Sequence, residues 1–244
     1  MRRLEGRTAV VTGGGTGIGL GAAKRFIDEG AFVYITGRRQ EVLDQAVAQL
    51  GPNARAVQGS VTNPADLDRL FDTVRDERGG IDILLANAGT GSFAPLGQLT
   101  PEHYDEVFDL NVKGLVFTVQ KALPLMSAGA SIILTGSTTG VMGTAAFSIY
   151  SASKAAVRNL ARSWALDLRG SGIRVNVLSP GPTRTELAME VLGEEGMDTL
   201  GAMTPVGRMG DPSETGAVAA FLASSDSSFM TGGQVFVDGG FAQI

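Results

Sequence analysis

Thr12-Gly13-Gly14-Gly15-Thr16-Gly17-Ile18-Gly19 joins the apolar run Thr8–Thr12 to the start of a helical pattern. Glycines here let a ligand approach open backbone N–H groups at a helix N-terminus, where partial positive charge attracts phosphate. A side chain at these positions would hold the backbone away from a pyrophosphate. The spacing is T-G-x-x-x-G-x-G, not the common G-x-G-x-x-G. Such a turn can also be a bare strand-to-helix connection, so the rest of the chain must decide what it does.

Outward from that turn, short apolar runs alternate with helical patterns almost to the end. Strands are expected at Thr8–Thr12, Phe32–Thr36, Ala54–Gln58, Ile81–Ala86, Ser131–Thr135, Arg174–Leu178 and Gln234–Val237. Most are continuous apolar runs, as parallel strands covered on both faces require. Leu67, Leu70, Phe71 and Val74 recur at helical spacing and predict a helix over Asp66–Arg78. Pro64 stands near its start, behind Thr62 and Asn63 as possible caps. Leu43, Val47 and Leu50 mark another stripe. Repeated βαβ units predict an α/β chain: a single-domain, Rossmann-like, doubly wound sheet of seven parallel strands with helices on both faces, over residues 1–244. Residues 186–204 read as a helix interrupted by Gly193, Gly196 and Gly201, with Met189, Met197, Met203 and Met209 in or just beyond it. Glycine breaks and flexible methionines suggest a mobile segment that covers a substrate.

Composition narrows the function. The chain has 244 residues, 43% of them apolar, which is enough for a sizeable core. With no cysteine there are no disulfides, thiolate metal sites or cysteine nucleophiles, which suits a cytoplasmic protein. A formal charge of −5 argues against general nucleic-acid binding. No signal peptide is indicated, and no apolar run approaches the ~18 residues of a membrane span. There is no G-x-S-x-G elbow for a hydrolase. The single histidine, His103, falls at a helix start and is expected to face solvent. Trp164 is expected in the core or a subunit interface.

After the second strand an NAD-binding chain usually places an acid on the adenosine ribose. Here the residues are Thr36-Gly37-Arg38-Arg39. Arg38 and Arg39 match a 2′-phosphate instead, which favours NADP(H). Tyr150 and Lys154 stand at i and i+4, on one helix face. Ser137 ends the fifth strand thirteen residues upstream of Tyr150, and Asn111 lies in the helix before that strand. Ser137 and Asn111 would both reach the carboxyl edge of the sheet, where ligands bind.

With these motifs in order, the sequence resembles the short-chain dehydrogenase/reductase family from about Gly6 to Phe241. The markers are Thr12–Gly19; Asn87-Ala88-Gly89; Asn111; Ser137; Tyr150 with Lys154; Pro180-Gly181 followed by Thr185; and Asp238-Gly239-Gly240. Within the family it looks most like NADPH-dependent secondary alcohol dehydrogenases that accept bulky ketones. The resemblance implies that Tyr150 is the general acid in reduction and that Ser137 donates to the substrate oxygen. Lys154 would bind the nicotinamide ribose and lower the Tyr150 pKa. Asn111 would hold a water in a proton relay. Gly13, Gly15, Thr16, Gly17, Ile18 and Gly19 would cradle the cofactor, which Ser60, Val61, Asn87, Ala88, Gly89, Pro180 and Gly181 would border. Thr183 and Thr185 would seat the carboxamide and phosphate. No metal is expected.

Two positions depart from the family pattern. Ser60-Val61 stands where Asp-Val is frequent, which puts one adenine contact in doubt, and Ala86 replaces an asparagine. Val141, Met142, Phe147, Leu187 and Met189 are the expected apolar pocket wall. The substrate is expected to be a small-molecule carbonyl or alcohol, with no nucleic-acid or membrane partner. A homotetramer is expected, because the strand Gln234–Val237 and the apolar helices Leu115–Met126 and Val157–Leu168 need partners. A 3-oxoacyl thioester reductase, a non-catalytic dinucleotide-binding regulator and a lyase resembling halohydrin dehalogenases remain as alternatives. The intact Ser137–Tyr150 pair weighs against the regulator, and Lys154 with the cofactor glycines against the lyase.

Overall fold

The computed structural model describes residues 2–242. Its strands are β1 (Thr8–Thr12), β2 (Phe32–Gly37), β3 (Ala54–Gln58), β4 (Ile81–Ala86), β5 (Met126–Thr135), β6 (Arg174–Pro180) and β7 (Gln234–Val237). All pair in parallel, in the order β3-β2-β1-β4-β5-β6-β7. The helices are α1 (Gly17–Asp28), α2 (Gln40–Leu50), α3 (Pro64–Arg78), α4 (Pro101–Phe108), α5 (Leu115–Ala122), α6 (Ser148–Asp167), α7 (Glu186–Ala202) and α8 (Pro212–Ala223). The order of strands reverses direction at β1 and β4, so their carboxyl ends open the crevice where a ligand fits.

Side-chain parity explains the continuous apolar runs. Val10, Tyr34, Leu84, Ile132, Leu134, Val175 and Val177 face one core, against Leu67, Leu70, Phe71 and Val74 of α3 and Val157 and Ala161 of α6. Ala9, Val11, Val33, Ile35, Ile83, Leu85, Ile133 and Leu178 face the other, against Phe26 of α1, Leu43 of α2 and Ala219 and Leu222 of α8. With both faces covered, alternation disappears from the sequence. Trp164 packs against the first core. Among the described residues no helix is long and apolar enough to cross a membrane.

Several boundaries move. The helix α3 starts at Pro64, not Asp66, and Asn63 caps it by accepting from the Ala65 N–H at 3.0 Å. The expected helix Leu115–Met126 stops at Ala122. Pro124 forces a 3₁₀ turn over Leu123–Leu125, and Met126 already begins β5. Ser137 lies beyond β5, which ends at Thr135, and caps a 3₁₀ turn over Thr138–Gly140. Asn111 sits in a π-helical turn, Asp109–Gly114, between α4 and α5. His103 is half-buried and pairs with the Ser92 hydroxyl at 3.3 Å, because the loop before α4 folds over it. The helix α7 is two helices merged across Gly193, whose φ of 67° only glycine adopts cheaply. Its methionines divide: Met197 and the nearby Met209 are buried anchors, while Met189 and Met203 are exposed.

Candidate active site

The glycine turn is built to receive an anion. Gly13 and Gly17 adopt φ of 63° and 51°, and a Cβ on Gly13 would stand 3.0 Å from the Ala88 Cα. The Thr16 side chain makes no capping bond to α1, so it leaves the first N–H groups of that helix unclaimed. Behind the turn, Thr12 Oγ1 accepts from the N–H groups of Asn87 and Ala88, each at 3.0 Å. Asn87 Nδ2 donates to the carbonyls of Thr12 at 3.1 Å and Gly13 at 3.3 Å. Thr135 Oγ1 donates to Asn87 Oδ1 at 3.3 Å. One asparagine thus ties together the ends of β1, β4 and β5.

A cleft of about 570 Å³ runs along this edge. It is bordered by Gly13, Gly15, Thr16, Gly17, Ile18, Arg38, Arg39, Ser60, Val61, Asn87, Ala88, Gly89, Tyr150, Lys154 and Thr185. Gly19 supports the turn from behind, where a Cβ would collide with the Gly13 carbonyl and lie 2.7 Å from Asn87 Nδ2. Pro180, Gly181 and Thr183 do not border the cleft; Thr183 is buried, with its hydroxyl donating to the Gly181 carbonyl at 3.0 Å. At the far end Arg38 and Arg39 are exposed, and among the described residues neither has a carboxylate partner. Ser60 Oγ pairs with Thr62 Oγ1 at 2.8 Å, and Asp66 accepts from the Ser60 N–H at 2.8 Å. That bond, with help from Arg69, holds the Asp66 carboxyl below its ordinary pKa. This loop is therefore fixed without an acid at position 60.

At the other end, Tyr150 and Lys154 project from one face of α6. Lys154 is buried, and its Nζ donates to the Thr135 carbonyl at 2.9 Å. Burial lowers its pKa from 10.5 to about 8. The expected fall in the Tyr150 pKa is not found: burial pushes the phenol up, and hydrogen bonding with Ser137 opposes that by less. Ser137 Oγ accepts from the Thr139 N–H at 3.2 Å and from the Thr139 hydroxyl at 3.1 Å. Both incoming bonds leave its single proton to be donated toward the phenol or a substrate oxygen. Asn111 is fully buried. Its Oδ1 accepts from the Thr90 N–H and its Nδ2 donates to the Thr90 carbonyl, both at 2.8 Å, and to Ser153 Oγ at 3.0 Å.

The expected apolar wall is only partly gathered. Leu187 borders the cleft, and Phe147 stacks on Tyr150 with ring centroids 4.4 Å apart. Val141, Met142 and Met189 do not border the cleft; Val141 and Met189 are exposed. Glu186 and Glu190 do border it. The sequence reading named Thr12 only as the start of the glycine motif and gave no site-building role to its side chain or to Thr90 and Thr135. The Thr12 side chain bonds to backbone, and Thr90 and Thr135 also serve through backbone groups, so residue type signals little.

Fold and site together define a dinucleotide-binding oxidoreductase. A family model described as "Enoyl-(Acyl carrier protein) reductase" matches residues 13–242. The chain is 63% identical to "Oxidoreductase asL5" of Sarocladium schorii, covering 100% of this chain and 99% of that one. It is 36% identical to the "NADP-dependent (R)-specific alcohol dehydrogenase" of Lentilactobacillus kefiri, covering 98% of both. A solved "short chain dehydrogenase/reductase family protein" superposes with a TM-score of 0.89 at 37% identity, covering 99% of this chain and 100% of that one. The chain belongs to the short-chain dehydrogenase/reductase family, whose members transfer a hydride between a nicotinamide dinucleotide and a substrate.

Proposed function

We propose that this enzyme reduces a neutral, bulky ketone or aldehyde with NADPH, and that it works in the cytoplasm as a homotetramer. The carrying observation is one cleft bordered by an open phosphate turn, two exposed arginines, Tyr150 and Lys154, with Ser137 hydrogen-bonded to Tyr150. Bound NADPH would supply the hydride. The N–H groups from Gly13 to Gly19 hold its pyrophosphate, with Thr185 closing over them. Arg38 and Arg39 grip the 2′-phosphate by charge-assisted bonds. Lys154 holds the nicotinamide ribose. Ser137 donates to the substrate oxygen where charge develops, and Tyr150 delivers the proton. A Cβ on Gly89 would stand 3.1 Å from Asn111 Oδ1 and 3.4 Å from Lys154 Nζ. Gly89 therefore keeps room between the two for a water that passes protons inward.

Charge argues for a neutral substrate. Glu186 and Glu190 border the cleft, and the nearby Arg184 is engaged by Asp198 at 3.3 Å. That rim repels the anionic tail of a carrier-bound thioester. NADPH consumption over aryl ketones, long-chain alkyl ketones, a 3-oxoacyl thioester and an enoyl thioester, at matched salt, tests this. Ketones should have the highest kcat/KM; a clear win for either thioester overturns the substrate class.

Cofactor choice has its own test. A Cβ on Gly37 would meet only Leu43, at 3.6 Å, so the backbone there admits a side chain. Gly37→Asp with Arg38→Ile should raise the KM for NADPH and improve use of NADH. A wild type equally content with NADH would refute the reading of the arginines.

A further inference from the structure

Segment 90–94 runs past Tyr150 at a distance only glycine permits. A Cβ on Gly91 would lie 2.6 Å from Tyr150 Cδ2, 2.9 Å from Phe147 Cζ and 3.1 Å from Tyr150 Cε2. No positive φ forces glycine here, so contact with those two rings, not backbone geometry, excludes a larger residue. The Phe147 ring stacks on Tyr150 at 4.4 Å and 28°. Phe93 packs against Phe147, with centroids 4.6 Å apart.

The backbone holds this arrangement shut. The Ala94 N–H donates to the Ala146 carbonyl at 2.8 Å, clasping the segment to the residue before Phe147. Ala146 has φ of 57°, the only positive φ on a non-glycine among the described residues. That conformation is costly for a residue with a Cβ and persists only where its surroundings impose it. Here it turns the chain into α6 so that the Phe147 ring meets the tyrosine.

We infer that Gly91 and Phe147 are positioning residues: the bare backbone of one and the ring of the other form a slot that fixes the Tyr150 phenol for proton transfer. This rests on the reading of Tyr150 as proton donor. Neither residue need touch substrate or cofactor for the slot to work. A small displacement of a catalytic group is expensive, since about 1 Å of misplacement can cost on the order of a hundredfold in rate.

Gly91→Ala tests the slot, with Tyr150→Phe as reference. Gly91→Ala should lower kcat at least tenfold, while the KM for ketone and the NADPH dissociation constant stay within about twofold. Its kcat–pH profile should also shift, because the phenol has moved against Ser137. In protein carrying 3-fluorotyrosine, the chain's three tyrosines give separate fluorine resonances. Only the Tyr150 resonance, assigned from Tyr150→Phe, should move. If Gly91→Ala fails to fold, Phe147→Leu loosens the slot rather than crowding it and should show the same loss in kcat, the same shift in the kcat–pH profile and unchanged NADPH binding. Unchanged kcat, or a loss matched by weaker NADPH binding, overturns the slot. A fully active Tyr150→Phe would instead overturn the reading beneath it.

Discussion

Lys154 keeps its charge in a place that resists charge. Its ammonium is buried, donates to the Thr135 carbonyl and lies over the Tyr150 ring, 5.5 Å from its centroid. Desolvation therefore favours the neutral amine, and the proton leaves near pH 8 rather than near 10.5. The cation is complete well below pH 8 and lost as pH rises through it. Tyr150, pushed upward, keeps its proton over the same range. Reduction should thus run at full rate near pH 6–7 and decline through about 8 as the Lys154 proton is lost. Stopped-flow rates of the reductive step across pH 5.5–10 check this; a flat profile to pH 9.5 would contradict it. At this scale Tyr150 and Lys154 were legible because i and i+4 share a helix face. Gly91 was not, since nothing local distinguishes a glycine that must let a ring pass. The raised Tyr150 pKa was also invisible: it depends on burial, which no motif encodes.

Helices α1 and α8 approach closely because both present glycine. A Cβ on Gly21 would lie 2.7 Å from the Pro212 carbonyl oxygen, and one on Gly216 would lie 2.7 Å from the Gly21 carbonyl oxygen. Backbone cannot yield as a side chain does. Gly216→Ala should therefore wedge the pair apart and destabilise the fold by about 1–3 kcal/mol. Each kcal/mol lowers Tm by roughly 2–4 °C in a chain of this size. The N-terminus of α1 carries the phosphate turn, so nucleotide affinity should weaken as well. Calorimetry with and without NADPH reads both effects, and an unchanged Tm would show that the helices have slack. Strand and helix order was readable because two-sided burial writes continuous apolar runs and amphipathic helices write stripes. The π-helical turn at Asp109–Gly114 was not, because Asn111 is held by the Thr90 backbone and Ser153, partners distant in sequence. The first half of β5 was also hidden: Ser127, Ala128 and Gly129 are exposed, and the pairing register slips between Ile81 and Ile83.

At the scale of the whole molecule, a sheet edge and several exposed apolar side chains are available to a second copy of the chain. The strand β7 is the sheet edge, with Val235 and Val237 half-buried against the second core, and Phe229, five residues before it in sequence, is fully exposed. Elsewhere Phe117 on α5 and Leu166 on α6 are exposed. The proposed tetramer would use two such surfaces about two-fold axes. Light scattering at micromolar concentration should give a mass near four chains of 25.3 kDa, and a monomer would rule the assembly out. The site itself belongs to the whole chain, since β1, β2, β4 and α6 each bring a part to one cleft. Its chemistry is tested most directly by following the label from NADPH deuterated at the transferred position into an aryl ketone. Mass spectrometry and NMR should find one deuterium on the carbinol carbon of the wild-type product, and Tyr150→Phe should slow its appearance by about 10²–10⁴-fold with NADPH binding intact. Product without deuterium, or undiminished transfer in Tyr150→Phe, would contradict hydride reduction completed by that phenol.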